Sequence, residues 1–138
     1  MKLIGDILVS SGVIAYAGPF TMVYRNQITA DWVRLCLKNE IPSSEVYNMS
    51  NVLGDAVKIR QWGLLGLPVD SFSIENCIIM KNARRWPLFI DPQGQGNKFI
   101  KNLEKVRNIM VIKPTTKKYG IKLEAAIQNG LPMMMENV

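Results

Sequence analysis

Apolar residues recur at helical spacing through the first eighty positions. Leu3, Ile4, Ile7, Leu8, Ile14 and Ala15 form one stripe, which Gly18-Pro19 ends. Thr21 is placed to cap a second helix. That helix carries Tyr24, Ile28, Trp32 and Leu35 on one face and ends near Glu40, ahead of Pro42-Ser43-Ser44. A polar connector leads to Asp55, which opens a short helix bearing Val57, Ile59 and Trp62. Gly63, Gly66 and Pro68 close it. Asp70 or Ser71 caps a further helix over 72–82, with Ile74, Ile78 and Ile79 inward.

The period then changes. Pro87-Leu88-Phe89-Ile90-Asp91 is a continuous apolar run ending in a Pro/Gly cluster, the pattern of a buried parallel strand. Residues 97–107 return to helical spacing, with Phe99, Ile100, Leu103 and Val106 inward. A second apolar run follows at 109–112. Residues 117–128 form a helix with Tyr119, Leu123, Ala126 and Ile127 on one side, closed by Asn129-Gly130. A third apolar run covers 131–135. This alternation predicts an α/β chain with two βαβ units and right-handed crossovers. A helical segment, 1–66, is followed by the beginning of a parallel sheet domain, 67–138. Three parallel strands leave two unpaired edges, so the sheet is expected to continue in strands from elsewhere.

With 138 residues, 48% of them hydrophobic and 20% charged, the chain can build a real core and is not a disordered segment. The stretch 3–16 is too short and too polar to span a membrane, and no signal-peptide cleavage pattern follows it. Cys36 and Cys77 fall in apolar-periodic segments, and there is no histidine. These facts argue for reduced core cysteines and against zinc, Ser-His and Cys-His chemistry. Trp32, Trp62, Trp86 and Met133-Met134-Met135 are read as core. The net charge is +6, and between Lys81 and Lys118 ten basic residues face only Asp91 and Glu104. The lysines are spaced along a helix and loops, so a solvated face is preferred to a nucleic-acid surface. Arg84 and Arg85 are read as helix-end charges, with an arginine-finger role as the alternative.

The most informative segment runs from Phe89 to Phe99. It leaves a strand, passes through a glycine-containing loop and opens a helix, which is the setting of a phosphate-binding loop. Against G-x-x-x-x-G-K-[ST], Asp91 takes the first glycine position and Gly96 the second; Gly94 lies between them. Asn97 stands at the lysine that would reach the phosphates, and Lys98 at the Ser/Thr that would hold magnesium. Asp91 brings a negative charge to the phosphate side. The acidic pair expected at the end of the third strand is also incomplete. Asn137 falls at the aspartate and Val138 at the catalytic glutamate, while Glu136 lies one position early. A shift of one residue in register would bring Glu136 into play. These residues fit a P-loop fold kept as a scaffold. The alternative is an unrelated α/β domain in which Asp91-Pro92 is a turn and the glycines simply open a helix.

Three stretches resemble the dynein heavy-chain family: residues 15–20 (AYAGPF), 67–76 (LPVDSFSIEN) and 85–95 (RWPLFIDPQGQ). Residues 97–102 (NKFIKN) and 136–138 (ENV) are similar to the same region. The resemblance runs in order over nearly the whole chain and is nearer to axonemal than to cytoplasmic members. It implies the region where the stalk's returning helix meets the fifth AAA+ module of a microtubule motor ring. In that family the fifth module has a structural and mechanical role and does not hydrolyse nucleotide. The resemblance implies no catalytic residue and no cofactor in this segment, with ATP and magnesium held by other modules. It implies neighbouring AAA+ modules, the stalk, other dynein subunits and, through the parent chain, microtubules as partners. The location implied is the cytoskeleton, in a cilium or flagellum. A regulatory nucleotide site without hydrolysis is the competing reading.

Overall fold

The computed structural model describes residues 3–137 and divides at Ile90/Asp91 into two compact units. In the first unit α1 covers Ile4–Gly12 and continues directly into a π-helical turn, Val13–Ala17. Helix α2 covers Met22–Lys38; Thr21 holds its N-cap position, but the Thr21 side chain makes no capping bond. Three further helices start by one chemistry, in which a side-chain oxygen accepts a backbone N–H of the first turn. Asn48 Oδ1 accepts from Asn51 N–H at 3.1 Å and starts α3, Met49–Leu53. Asp55 Oδ1 accepts from Val57 and Lys58 N–H at 2.9 and 3.2 Å and starts α4, Ala56–Leu64. Asp70 Oδ1 accepts from Ser73 N–H at 2.9 Å and starts α5, Ser71–Asn82. The hydrogen bonds from Ser73 hold the Asp70 carboxyl below the usual carboxylate range.

The core of this unit consists of Val9, Val13, Ala17, Val33, Cys36, Met49, Val52, Trp62, Cys77 and Ile78. It corrects two of the expected helix faces. On α1 the buried side is Gly5, Asp6, Val9 and Ser10, while Ile4, Ile7 and Leu8 are exposed. On α2 the buried side is Arg25, Thr29, Val33 and Cys36, and Tyr24 and Leu35 are exposed. The reason is that most of these buried polar groups find hydrogen-bond partners, Arg25 Nη1 having only its ion pair with Glu75. Asp6 accepts from Ser44 N–H and Ser44 Oγ–H, both at 2.8 Å, and Ser10 Oγ lies 2.8 Å from the Tyr47 hydroxyl. Two polar side chains thereby fasten the 42–47 loop against α1. The connector read as polar contains α3, whose Met49 and Val52 are buried. Cys36 and Cys77 are free and buried, as expected of core cysteines.

In the second unit α6 covers Gln95–Leu103 and ends in a 3-10 turn, Lys105–Arg107. Strand β1, Met110–Ile112, is followed by α7, Tyr119–Gln128, and by β2, Met133–Met135. The two strands pair in parallel, Met110 with Met133, Val111 with Met134 and Ile112 with Met135. This is one βαβ unit, the chain's mixed helix-and-sheet element. Phe99, Ile112 and Ala126 form its buried centre. Val106 and Ile127, expected inward, are exposed.

The first expected strand, 87–91, is absent. No strand forms there, and Trp86, Leu88 and Ile90 are 81%, 83% and 93% exposed. A parallel strand is stable only with a hydrogen-bonded neighbour and cover on both faces. The two-stranded sheet pairs only β1 with β2, so among the described residues no neighbour meets the 87–91 run. For the same reason Trp86 is not a core tryptophan, whereas Trp62 is buried and Trp32 half-buried.

Candidate functional site

Four expected site residues form a tight loop at the start of α6. Gly94 takes the N-cap position in the left-handed conformation, φ +72°. Glycine adopts that backbone without penalty. With no side chain at the N-cap, the cap comes from further back. Asp91 Oδ1 accepts the Gln95 N–H at 3.0 Å and Asp91 Oδ2 accepts the Asn97 N–H at 2.8 Å. The Gly94 N–H also donates to the Asp91 carbonyl, at 3.2 Å. Gly96 lies within the first turn of α6, and the helix begins two residues earlier than its periodicity indicates. Both carboxylate oxygens of Asp91 are thus turned onto the helix N-terminus, where N–H groups and the helix dipole favour an anion. Asn97 contributes its backbone N–H to this arrangement, and Lys98 is exposed.

The strand-end residues lie in the same unit. Glu136 follows β2, and its N–H donates to the Ile112 carbonyl at 2.9 Å, extending the pairing with β1. Its carboxylate, 16% exposed, meets the Lys101 ammonium of α6 at 2.6 Å. This charge-assisted contact ties the helix after the loop to the end of the strand. Asn137 takes a left-handed backbone, φ +56°, so the chain turns immediately after Glu136. Val138 lies outside the described residues. Lys101 is the participant that motif matching missed, because its position belongs to no motif. Its signal is only the helical spacing that carries it one turn past Lys98.

A second polar centre, also missed, lies in the first unit. Arg25 is 2% exposed. Its Nε donates to the Ala17 carbonyl at 3.0 Å, and one Nη donates to the Gly18 carbonyl at 2.8 Å and to Asn76 Oδ1 at 2.6 Å. Its other Nη lies 3.6 Å from the Glu75 carboxylate, and the guanidinium stacks 4.6 Å above the Phe72 ring. Burial lowers the arginine's pKa, with Glu75 opposing, and raises that of Glu75, with Arg25 opposing. One side chain therefore closes the π-helical turn and joins α2 to α5. Its clue in the sequence is a lone arginine among residues destined for one helix face.

Two of the exposed apolar positions of α1 and α2, Leu8 and Leu35, meet at one cleft. Leu8, Tyr16, Trp32, Leu35 and Ile41 line an open cleft of about 320 Å³ in the first unit. Among the described residues no group of three or more Asp, Glu or Cys side chains is arranged to hold a metal ion, and no helix is long and apolar enough to cross a membrane.

Comparison with known proteins supplies the family. The family description "ATP-binding dynein motor region" matches residues 60–138. The chain is 52% identical over 137 residues to mouse dynein axonemal heavy chain 3, and 50% identical over 137 residues to its human counterpart. It is 41% identical over 137 residues to mouse dynein axonemal heavy chain 1. Each of these alignments covers 99% of the chain and 3% of the relative, so the chain spans about 3% of the length of the curated relatives it matches. A loop-to-helix turn, a parallel βαβ unit and this family match lead to one statement: the chain belongs to the ATP-binding dynein motor region family.

Proposed function

We propose that this chain is a non-hydrolytic structural and mechanical module of an ATP-driven microtubule motor. We place it at the start of the fifth AAA+ module, with residues 1–66 as the helical segment before the module and 67–138 as the first part of its large subdomain. The family match beginning at residue 60 supports a boundary in that neighbourhood. The axonemal names of the relatives support a ciliary or flagellar cytoskeletal setting, with neighbouring modules, the stalk and other dynein subunits as partners. Microtubules are reached through the rest of the parent chain.

The observation that carries the non-hydrolytic reading is the Lys101–Glu136 ion pair. Hydrolysis needs a carboxylate free to hold magnesium or orient water, and a cation on the β/γ-phosphates. Glu136 is engaged by an ammonium, Asn137 has no charge to offer, and Asn97 stands where the cation is needed. A sensitive phosphate-release assay on the 138-residue chain is expected to stay at background with Mg-ATP. Magnesium-dependent turnover that disappears in Glu136→Gln would overturn the reading. The regulatory-nucleotide alternative expects heat on titrating ADP or ATP at millimolar concentration; the occupied loop predicts none.

A further inference from the structure

We infer that this loop carries its own stand-ins for the ligands that such a loop otherwise binds. The Asp91 carboxylate takes the place of a phosphate at the start of α6, and the Lys101 ammonium takes the place of a divalent cation at Glu136. This rests on reading residues 91–98 as a degenerate phosphate loop and Glu136 as its strand-end carboxylate.

Ordinary helix capping uses the N-cap side chain, one oxygen and one or two N–H groups of the first turn. Here the N-cap is Gly94, which has no side chain to offer. The carboxylate comes from three residues upstream, and each of its oxygens is taken by a different N–H, at 3.0 and 2.8 Å. The loop closes over the carboxylate, with the Gly94 N–H returned to the carbonyl of the same residue at 3.2 Å. An incoming phosphate would need the Gln95 and Asn97 N–H groups that Asp91 holds. It would also meet a negative charge within contact distance, with no lysine at position 97 to offset it.

The second stand-in is a separate contact, between Lys101 further along α6 and Glu136 after β2. Magnesium at a strand end bridges a carboxylate and the phosphates. Lys101 supplies a single positive charge to Glu136 at 2.6 Å. Each internal substitute carries less charge than the ligand it replaces, so the reduced anion is matched by a reduced cation. The consequence is a module held in one state: its loop and strand end are neutralised by the chain itself and do not follow the nucleotide cycle of its neighbours.

The test is chemical rescue on the 138-residue chain, read as the thermal unfolding midpoint in low-salt buffer. Asp91→Ala is expected to lower the midpoint. Inorganic phosphate is then expected to restore it, while chloride at matched ionic strength does not, and phosphate leaves the unsubstituted chain unchanged. Lys101→Met is expected to acquire a stabilising response to magnesium that the unsubstituted chain lacks. Where Asp91→Ala fails to fold, Asp91→Asn, which keeps one acceptor, is expected to show a smaller phosphate response of the same sign. Absence of phosphate rescue in the folded variants, with the unsubstituted chain inert, overturns the stand-in inference and leaves the non-hydrolytic reading in place. Turnover by the unsubstituted chain overturns both, whereas nucleotide binding without turnover overturns the stand-in inference alone.

Discussion

Two residues at equivalent helix ends show how backbone chemistry sets local stability. Helix α2 ends with the Glu40 N–H on the Leu37 carbonyl and the Ile41 N–H on the Cys36 carbonyl, each 3.1 and 2.9 Å respectively. Helix α7 ends the same way, through the Gly130 and Leu131 N–H groups. The motif needs a left-handed residue, and the two chains of bonds supply it differently: Glu40 at φ +57°, Gly130 at φ +62°. A side chain pays about 1 kcal/mol or more there that glycine does not. Glu40→Gly is therefore expected to stabilise the chain by roughly 0.5–1 kcal/mol, and Gly130→Ala to destabilise it by about 1 kcal/mol, in urea unfolding. Burial also pushes the Tyr47 hydroxyl and the Cys77 thiol up to about 12. For both groups the folded pKa is raised, so their contribution is complete below the unfolded values of 10.0 and 9.0 and is lost as pH rises toward 12. The melting temperature is expected to fall progressively between pH 9 and 12. Tyr47→Phe, which removes the later-titrating hydroxyl and its bond to Ser10, is expected to flatten the upper part of that fall.

At the scale of elements, the first unit depends on joints that are polar. Arg25 closes the π-helical turn, stacks on Phe72 and pairs with Glu75 and Asn76 of α5. Removing one member of a buried charged group leaves the other without compensation, at a cost of roughly 3–5 kcal/mol. Arg25→Met is expected to lose about that much in urea unfolding. Adding Glu75→Gln is expected to return part of the loss, because the carboxylate no longer needs a counter-charge. A simple sum of the two single effects would show that the pair is not coupled. The same dependence explains why the α1 and α2 faces differ from their apolar stripes. A helix turns toward the side where its buried polar groups find partners, and Asp6, Ser10 and Arg25 find theirs in the 42–47 loop, the π-helical turn and α5. Of the displaced apolar side chains, Leu8 and Leu35 line the cleft around Trp32.

At the scale of the whole molecule, the proposed reading is of a part that does not itself turn over nucleotide. The expectation is inertness, with no ATP turnover and no calorimetric response to ADP by the unsubstituted chain. Lys101→Met removes the ammonium from Glu136 but leaves Asn97 in place of the phosphate-binding lysine. It is therefore expected to remain without turnover, in a phosphate-release assay, while its stability falls. A gain of turnover in that variant would mean that Lys101 alone suppresses hydrolysis and would remove the role assigned to Asn97.

Some of this was written in the residue string. Helix starts at Asp55 and Asp70, the closing turn at Asn129-Gly130 and the strand–helix–strand alternation after residue 109 are local events. They depend on a side chain reaching its own backbone or on the period of a short run, so they are legible one segment at a time. The residue chemistry of Asp91, Asn97 and Lys98 is legible for the same reason, and its reading as a degenerate phosphate loop belongs to the proposal. The fate of 87–91 was not, because a strand exists only with a partner and its apolar run finds none among the described residues. Nor were the buried faces of α1 and α2, the engagement of Glu136 by Lys101 or the arginine joint. Each depends on which distant group a side chain meets, and residue types at a given spacing do not determine that.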